Sequence, residues 1–153
     1  MKKKSFKNGS SGFTLVEILV STAILAIAVT GILISFLKSM ELAEVSRNSS
    51  LAIQAARGRM EQMRSTNFTD IKATYDQVTF GITDLAGIGV SYVDNTDPQF
   101  LKLTVTACWS QRSGRVYGED KNLNGALNAG EDANGNGILD SPVMLVSYFF
   151  QRI

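Results

Sequence analysis

One apolar run near the start of the chain constrains the fold more than any other feature. Between residues 13 and 37 the chain carries a single charge, that of Glu17. A helix over this run would be roughly 37 Å long, enough to cross a hydrocarbon core of about 30 Å with some tilt. A carboxylate inside such a span costs about 2–4 kcal/mol near the bilayer centre and less near its edge. Glu17 is therefore a candidate functional residue that needs a partner.

The residues on either side of this run predict its orientation and its processing. Four lysines precede it and only Lys38 follows closely, which predicts a cytoplasmic N-terminus and a head beyond the membrane. The preceding lysines are Lys2, Lys3, Lys4 and Lys7. A secretory signal has small residues after its apolar core. Here the small residues, Gly9 to Gly12, come before the run, so cleavage there would leave the apolar segment on the mature chain.

The hexapeptide from Gly12 to Glu17, Gly-Phe-Thr-Leu-Val-Glu, resembles the processing motif of type IV prepilins. This family includes type IV pilins, minor pilins and type II secretion pseudopilins. The resemblance implies a leader over residues 1–12, cleavage between Gly12 and Phe13 by a membrane prepilin peptidase, and N-methylation of Phe13. Glu17 matches the family's glutamate, whose implied partner is the α-amine of Phe13 on a neighbouring subunit. The alternative is a plain membrane anchor with an incidental glutamate.

Composition restricts the classes of function. The chain has 15 basic and 14 acidic residues, and loss of the four leader lysines would bring its net charge to −3. Nucleic-acid-binding surfaces are usually basic, so we expect no nucleic-acid partner. The chain has no histidine, which excludes histidine-based acid–base catalysis and histidine-ligated metals. No nucleophile–base pair is visible, and we predict that the protein is not an enzyme.

Cys108 is the only cysteine, so it cannot form an intrachain disulfide. We expect it to be a small buried residue in a strand, with a free thiol or an intermolecular link as the alternatives. Many pilins close a C-terminal loop with a disulfide. This chain departs from that pattern, so something else must hold its C-terminal region.

The rest of the sequence predicts an α+β fold. Residues 38–65 continue the helix in amphipathic form, with apolar or small residues three or four positions apart at Val45, Ser49, Ala52, Ala56, Met60 and Met63. Residues 66–153 predict a β-rich head with strands at 77–82, 89–93, 100–109 and 143–150. Apolar and polar residues alternate over 100–109, which predicts a half-buried strand, paired antiparallel with 143–150. The expected architecture is the type IV pilin fold, in which one long N-terminal helix, transmembrane over residues 13–37, packs on a small antiparallel sheet.

Between the last two predicted strands, two polar segments repeat with a period of twelve residues. The first, Asp120 to Glu131, fits the pattern of a calcium loop. Gly125 allows the sharp turn at its sixth position. The predicted ligands are the side chains of Asp120, Asn122, Asn124, Asn128 and Glu131 and the carbonyl of Ala126.

The second segment offers Asp132, Asn134, Asn136 and Asp140, but its twelfth position is Val143 and not an acid. It either binds more weakly, borrows Glu131, Asp140 or Glu119, or only supports the first loop. No flanking helices are predicted, so residues 119–140 resemble the calcium loops of dockerins placed in a connection between strands. The alternative is a pair of Asn- and Gly-rich turns without metal.

Charge gives this segment an expected role. Residues 119–140 carry a net charge near −4 and few apolar residues, so we expect them to be poorly ordered without a ligand. Bound Ca²⁺ would neutralise the loop and fix the last strand in register, which could replace the missing disulfide. Extracellular calcium modules bind at about 0.1–1 mM, so the site would be filled outside the cytoplasm.

These features together predict a structural subunit, a minor pilin or pseudopilin of the PilV-like or type II I-component kind. It would be an inner-membrane, single-pass protein with a periplasmic head that assembles into a type IV pilus or a type II secretion pseudopilus. The partners that the resemblance implies are other pilin subunits, the prepilin peptidase and N-methyltransferase, the inner-membrane assembly platform and membrane lipid. The alternative is an adhesion or DNA-uptake subunit whose loop touches DNA or a surface.

Overall fold

The computed structural model describes residues 12–151, so residues 1–11 of the expected leader lie outside the described part of the chain. Its elements are α1 (Leu15–Arg64), α2 (Ile71–Tyr75), β1 (Val78–Gly81), β2 (Gly87–Asp94), β3 (Phe100–Ser110), β4 (Val116–Tyr117) and β5 (Val143–Phe150). The chain divides into two compact units, the first ending at Glu41 and the second beginning at Leu42. The expected α+β fold, a long helix and a small antiparallel sheet, is confirmed.

The first unit contains the N-terminal part of α1, which is exposed throughout. By length and composition α1 is the one helix in residues 12–151 that can span a membrane, with a mean hydropathy of 2.5 in its most apolar window. Hydroxyl side chains in this part donate to carbonyls one turn back, as Thr30 does to Ala26 and Ser35 does to Gly31. These bonds keep the polar side chains satisfied without water.

In the second unit, the sheet is antiparallel and centred on β3. One edge of β3 pairs with β2, which in turn pairs with β1. The other edge pairs with β5 along most of its length and with the short β4 at its end, Trp109 and Ser110. The expected antiparallel pairing of the strands at 100–109 and 143–150 is confirmed, with Val105 opposite Leu145. The sequence did not predict α2 or β4.

One face of the sheet shares a core with α1. The stripe residues Ala52, Ala56, Met60 and Met63 are buried together with inward-facing residues of β3, namely Leu101, Leu103, Val105, Ala107 and Trp109. Asn48 is buried too, although a polar residue was not expected there. Trp109 stacks on Tyr117 of β4 with ring centroids 5.4 Å apart. Because α1 covers this face, the repeated loop can pack only on the opposite face of the sheet.

The prediction that β3 is half-buried is wrong. Thr104, Thr106 and Cys108 lie on the face of β3 away from the core residues, and all three are buried. The reason is that the connection between β4 and β5 lies against this second face. Ser141 Oγ donates to the carbonyl of Ala107, and the thiol of Cys108 lies 3.9 Å from the carbonyl of Asp140. The sheet therefore has a helix on one face and a loop on the other.

Candidate functional site

The expected processing and assembly residues lie at the start of α1. Phe13 is 78% exposed and precedes the helix, and Thr14 caps it. The Thr14 Oγ1 and carbonyl oxygens both accept from the backbone N–H of Glu17, at 3.2 and 3.1 Å. Glu17 therefore lies in the first helical turn, where the helix dipole favours a carboxylate by about 0.3–1 kcal/mol. Glu17 forms no ion pair within residues 12–151.

The first repeat, Asp120 to Glu131, folds into a tight loop around the carboxylate of its first residue. Asp120 is fully buried, and its two oxygens accept from the N–H groups of Asn124 and Gly125 at 3.1 and 2.7 Å. The side-chain oxygens of Asn122 and Asn124 accept from backbone N–H groups two residues further on. Gly125 has a φ of 73°, a conformation that glycine adopts without strain.

The second repeat has the same internal hydrogen bonds. The two oxygens of Asp132 accept from the N–H groups of Asn136 and Gly137 at 3.0 and 2.9 Å. The side-chain oxygens of Asn134 and Asn136 accept from N–H groups two residues on, as in the first repeat. The twelve-residue sequence repeat is thus also a structural repeat.

Glu131 closes the first repeat. Its Oε1 accepts from the N–H of Lys121, and its Oε2 accepts from the N–H of Asn128, each at 3.0 Å. Glu131 is only 5% exposed, and the N–H of Asn128 is the largest of the influences that lower the pKa of its carboxyl. The carboxylate form is therefore the one that the loop holds at neutral pH.

Glu119 makes the corresponding bonds in the second repeat. Its Oε1 accepts from the N–H of Ala133 at 3.1 Å, and its Oε2 accepts from the N–H of Asp140 at 2.9 Å. Ala133 and Asp140 stand twelve residues after Lys121 and Asn128. Each repeat is therefore closed by the glutamate that precedes the other repeat's first aspartate. The sequence left Glu131, Asp140 and Glu119 as acids that the second loop could borrow. The structure brings Glu119 to the position that closes this loop.

Comparison with known proteins bears on the N-terminal segment. Residues 7–33 match the family model described as the prokaryotic N-terminal methylation motif. The chain carries the signal of a prepilin-like protein. The match includes Gly12, Phe13 and Glu17, but neither the sheet nor the repeated loop. No curated protein and no solved structure matches the chain significantly.

The signal and the exposed apolar part of α1 fit an inner-membrane anchored, pilin-like subunit. The signal implies processing by prepilin peptidase and assembly with other pilin subunits, and it indicates a structural role.

The loop of this prepilin-like chain suits a hard cation in its donor chemistry. The side-chain atoms that the loop could offer to a metal are carboxylate and amide oxygens, the ligands that Ca²⁺ prefers. Each oxygen of Asp120 accepts one N–H and keeps a second lone pair. Asn124 Oδ1 and Glu131 Oε2 each accept a second bond, from the side-chain amide of Asn128, which a bound cation would have to displace. The five loop carboxylates form no ion pair within the described residues, although Asp120 and Glu131 are buried. Buried charges are usually paired or bound to metals.

The acids do not converge as a dense cluster. Within residues 12–151 no group of three or more acidic, cysteine or histidine side chains is placed to hold a metal ion. Amide and carbonyl oxygens would have to supply the other ligands, as the sequence pattern expects. In the second repeat the Asn134 and Asn136 amides donate to Asp140 Oδ2, while Asp140 Oδ1 is buried without a hydrogen-bond partner.

Several residues that anchor the loop were not expected from sequence. Leu139 is fully buried, and its N–H donates to the hydroxyl of Tyr92 at 3.0 Å. Burial is the main influence that raises the pKa of this phenol. The sequence repeat pairs Leu139 with Leu127, which is 40% exposed, so the repeat alone could not identify the anchor. Cys108 is buried in β3 as expected, and burial is the main influence that raises the pKa of its thiol.

Proposed function

We propose that this chain is a minor pilin or pseudopilin that, after processing, assembles into a type IV pilus or a type II secretion pseudopilus. The observation that carries the proposal is the methylation motif over residues 7–33 at the start of an apolar helix. A single long helix followed by an antiparallel sheet supports a pilin-like subunit. The PilV-like or type II I-component kind is the finer part of the proposal.

Glu17 gives the proposal its mechanism. It lies in the first turn of an apolar helix and has no cation partner in the described part of the chain. Cleavage before Phe13 would create a positively charged α-amine at the same end of the helix. Pairing between this amine and Glu17 of a neighbouring subunit would offset the cost of both charges inside an apolar filament core. Lipid would cover the exposed helix in the inner membrane, and other subunits would cover it in the filament.

Filament incorporation of Glu17 variants tests this mechanism. We expect Glu17→Gln to insert and be cleaved normally but to be lost from sheared filaments, because it removes the charge and keeps the shape. Glu17→Asp, which keeps the charge, should retain part of the incorporation. Immunoblots of membrane and filament fractions measure both, and normal incorporation of Glu17→Gln would contradict the charge-pairing mechanism.

We also propose that the first repeat binds one structural Ca²⁺. The ligands would be Asp120, Asn122, Asn124, Asn128 and Glu131 with the carbonyl of Ala126. The burial of Asp120 and Glu131 without an ion-pair partner supports a bound cation. Since the loop lies on the sheet and leads directly into β5, the ion would stabilise the packing of both. Its role would be that of the disulfide in other pilins.

Thermal unfolding of the detergent-solubilised full chain tests calcium binding. With about 1 mM Ca²⁺ we expect the Tm to rise by about 5 °C or more over the value in chelator. Asp120→Ala should abolish the rise, whereas Asp84→Ala, at an exposed acid outside the loop, should keep it. An equal Tm in calcium and chelator would mean that residues 119–140 are a pair of polar turns that bind no metal. The pilin proposal would not be affected.

A further inference from the structure

A buried glutamine amide lacks hydrogen-bond partners where α1 meets the end of β3. Gln111 is 5% exposed, and both its Nε2 and its Oε1 are buried without a partner among the described residues. Its backbone, in contrast, is satisfied. Its N–H donates to the carbonyl of Arg115, and its carbonyl accepts from the N–H of Gly114, each at 2.9 Å. Leaving both polar atoms of a buried side chain unpaired is costly, so Gln111 calls for a ligand.

Gln111 lies in a polar cleft between α1 and the sheet. It follows Trp109 by two residues, so it continues the row of β3 that faces α1. Asn48, which is 4% exposed, precedes Ala52 by four residues and so continues the buried stripe of α1. Both amides line one cleft of about 250 Å³, which lies wholly in the second unit. The charged residues around it are Glu44, Arg47, Asp84 and Arg112.

The chemistry of the cleft selects a peptide as its ligand. Gln111 needs a group that both accepts and donates, because Nε2 is a donor and Oε1 is an acceptor. A peptide group offers a carbonyl and an N–H together, whereas a simple cation or anion would satisfy only one of the two atoms. Arg47, Asp84 and Arg112 are exposed and form no ion pair within residues 12–151. Side chains of either charge on a bound peptide would therefore find an opposite charge at the rim.

We propose that this cleft binds a peptide segment of a neighbouring subunit, with one of its peptide groups hydrogen-bonded to the side chain of Gln111. The inference rests on the proposed function, because a filament is what supplies neighbouring subunits. The unpaired amide destabilises the isolated chain, and a bound peptide removes that cost only in the assembled state. The cleft would thus favour assembly over the isolated chain.

Gln111→Met separates a ligand-binding amide from a structural one, because it keeps the length of the side chain and removes both polar atoms. In the detergent-solubilised full chain, we expect its denaturation midpoint to equal or exceed that of wild type, since an unpaired buried amide is lost. In sheared filaments, we expect its incorporation to fall by at least about fivefold. Asn48→Leu, on the other wall of the cleft, should show the same two effects. Gln99→Met, at an exposed glutamine outside the cleft, should change neither.

Photo-crosslinking identifies the occupant of the cleft. The photoreactive residue p-benzoylphenylalanine would replace Ser113, which is exposed and follows Arg112 in the chain. Irradiated filaments should contain an adduct of two subunits, and mass spectrometry of its cross-linked peptide identifies the bound segment. The same chain irradiated in detergent, without neighbouring subunits, should give no adduct.

Three results would overturn the inference. A lower denaturation midpoint for Gln111→Met would mean that the amide stabilises the isolated chain itself. Unchanged incorporation of Gln111→Met would mean that the cleft has no role in assembly. Filaments that contain the photoreactive chain but yield no adduct would mean that no polypeptide occupies the cleft. These three results leave the proposed function standing, whereas absence of wild type from filaments would remove the proposed function and the inference together.

Discussion

Gly118 and Gly114 both have positive φ, at 109° and 81°, but their surroundings differ. A Cβ on Gly118 would lie 2.3 Å from the sulfur of buried Cys108 and 3.3 Å from the carbonyl of Asp140. A Cβ on Gly114 would meet nothing within 4 Å. Gly118 is thus required both for backbone conformation and for the close approach of the loop to β3.

We expect Gly118→Ala to destabilise the fold by about 2–5 kcal/mol, of which about 1–2 comes from backbone strain and about 1–3 from overpacking. Gly114→Ala should cost about 1–2 kcal/mol, from strain alone. Chemical denaturation at fixed calcium concentration measures both. Equal losses would mean that the loop does not press on Cys108. Adding Cys108→Ala, which removes the sulfur, should recover part of the loss in Gly118→Ala.

Leu139 and Leu127 are equivalent in the repeat but differ in burial, 0% against 40% exposed. We expect Leu139→Ala to lower the free energy of unfolding by about 2–5 kcal/mol, because it leaves a cavity between the loop and the sheet. Leu127→Ala should change it by about 0.5 kcal/mol or less. Denaturant midpoints compare the two, and a neutral Leu139→Ala would show that the loop is not anchored through this side chain.

At the scale of elements, the β4–β5 connection acts as the cover of a sheet face. Thr106 and Cys108 are buried by it and not by α1, which packs on the opposite face. A cover that depends on a bound ion should open when the ion is removed. The lone thiol of the chain lies under it and so reports on its opening.

We expect maleimide labelling of Cys108 to be slow in calcium and at least about tenfold faster in chelator, since the open fraction of the loop sets the rate. The control is Ser113→Cys in a Cys108→Ala background. Residue 113 is exposed outside the repeats, so its labelling should be fast and independent of calcium. Equally slow labelling of Cys108 in both conditions would mean that the cover is stable without an ion.

At the scale of the whole molecule, the sequence predicted the long helix α1 and the strands β1, β2, β3 and β5, but not α2, β4 or the cover on the second face of the sheet. The stripe at Ala52, Ala56, Met60 and Met63 and the alternation in β3 placed the helix and the sheet core correctly. The alternation also suggested a solvent-facing side for Thr104 and Thr106, because period two reports residue polarity and not the long connection that folds back over it. The local sequence pattern therefore does not reveal that a threonine is buried when a distant loop covers it.

The repeated loop was likewise predictable only in part. The twelve-residue period and its ligand types are local and can be read directly from residues 120–140. The role of Glu119 cannot be read in this way. Its carboxylate accepts from the backbone of Ala133 and Asp140, which lie 14 and 21 positions further along the chain, and these contacts exist only when both loops are folded. The missing acid at Val143 made the second loop look incomplete, whereas the fold brings Glu119, the residue before the first repeat, to its closing position.

If this chain is a processed filament subunit, the mass of its mature N-terminus will show it. The full chain should be expressed with a prepilin peptidase, isolated from membranes and analysed by mass spectrometry of its N-terminal peptide. We expect a chain that begins at N-methylated Phe13, with loss of residues 1–12, and no such product for Gly12→Val. A wild-type chain that keeps its leader, or is cut after the apolar run, would mean that the protein is not processed as a prepilin.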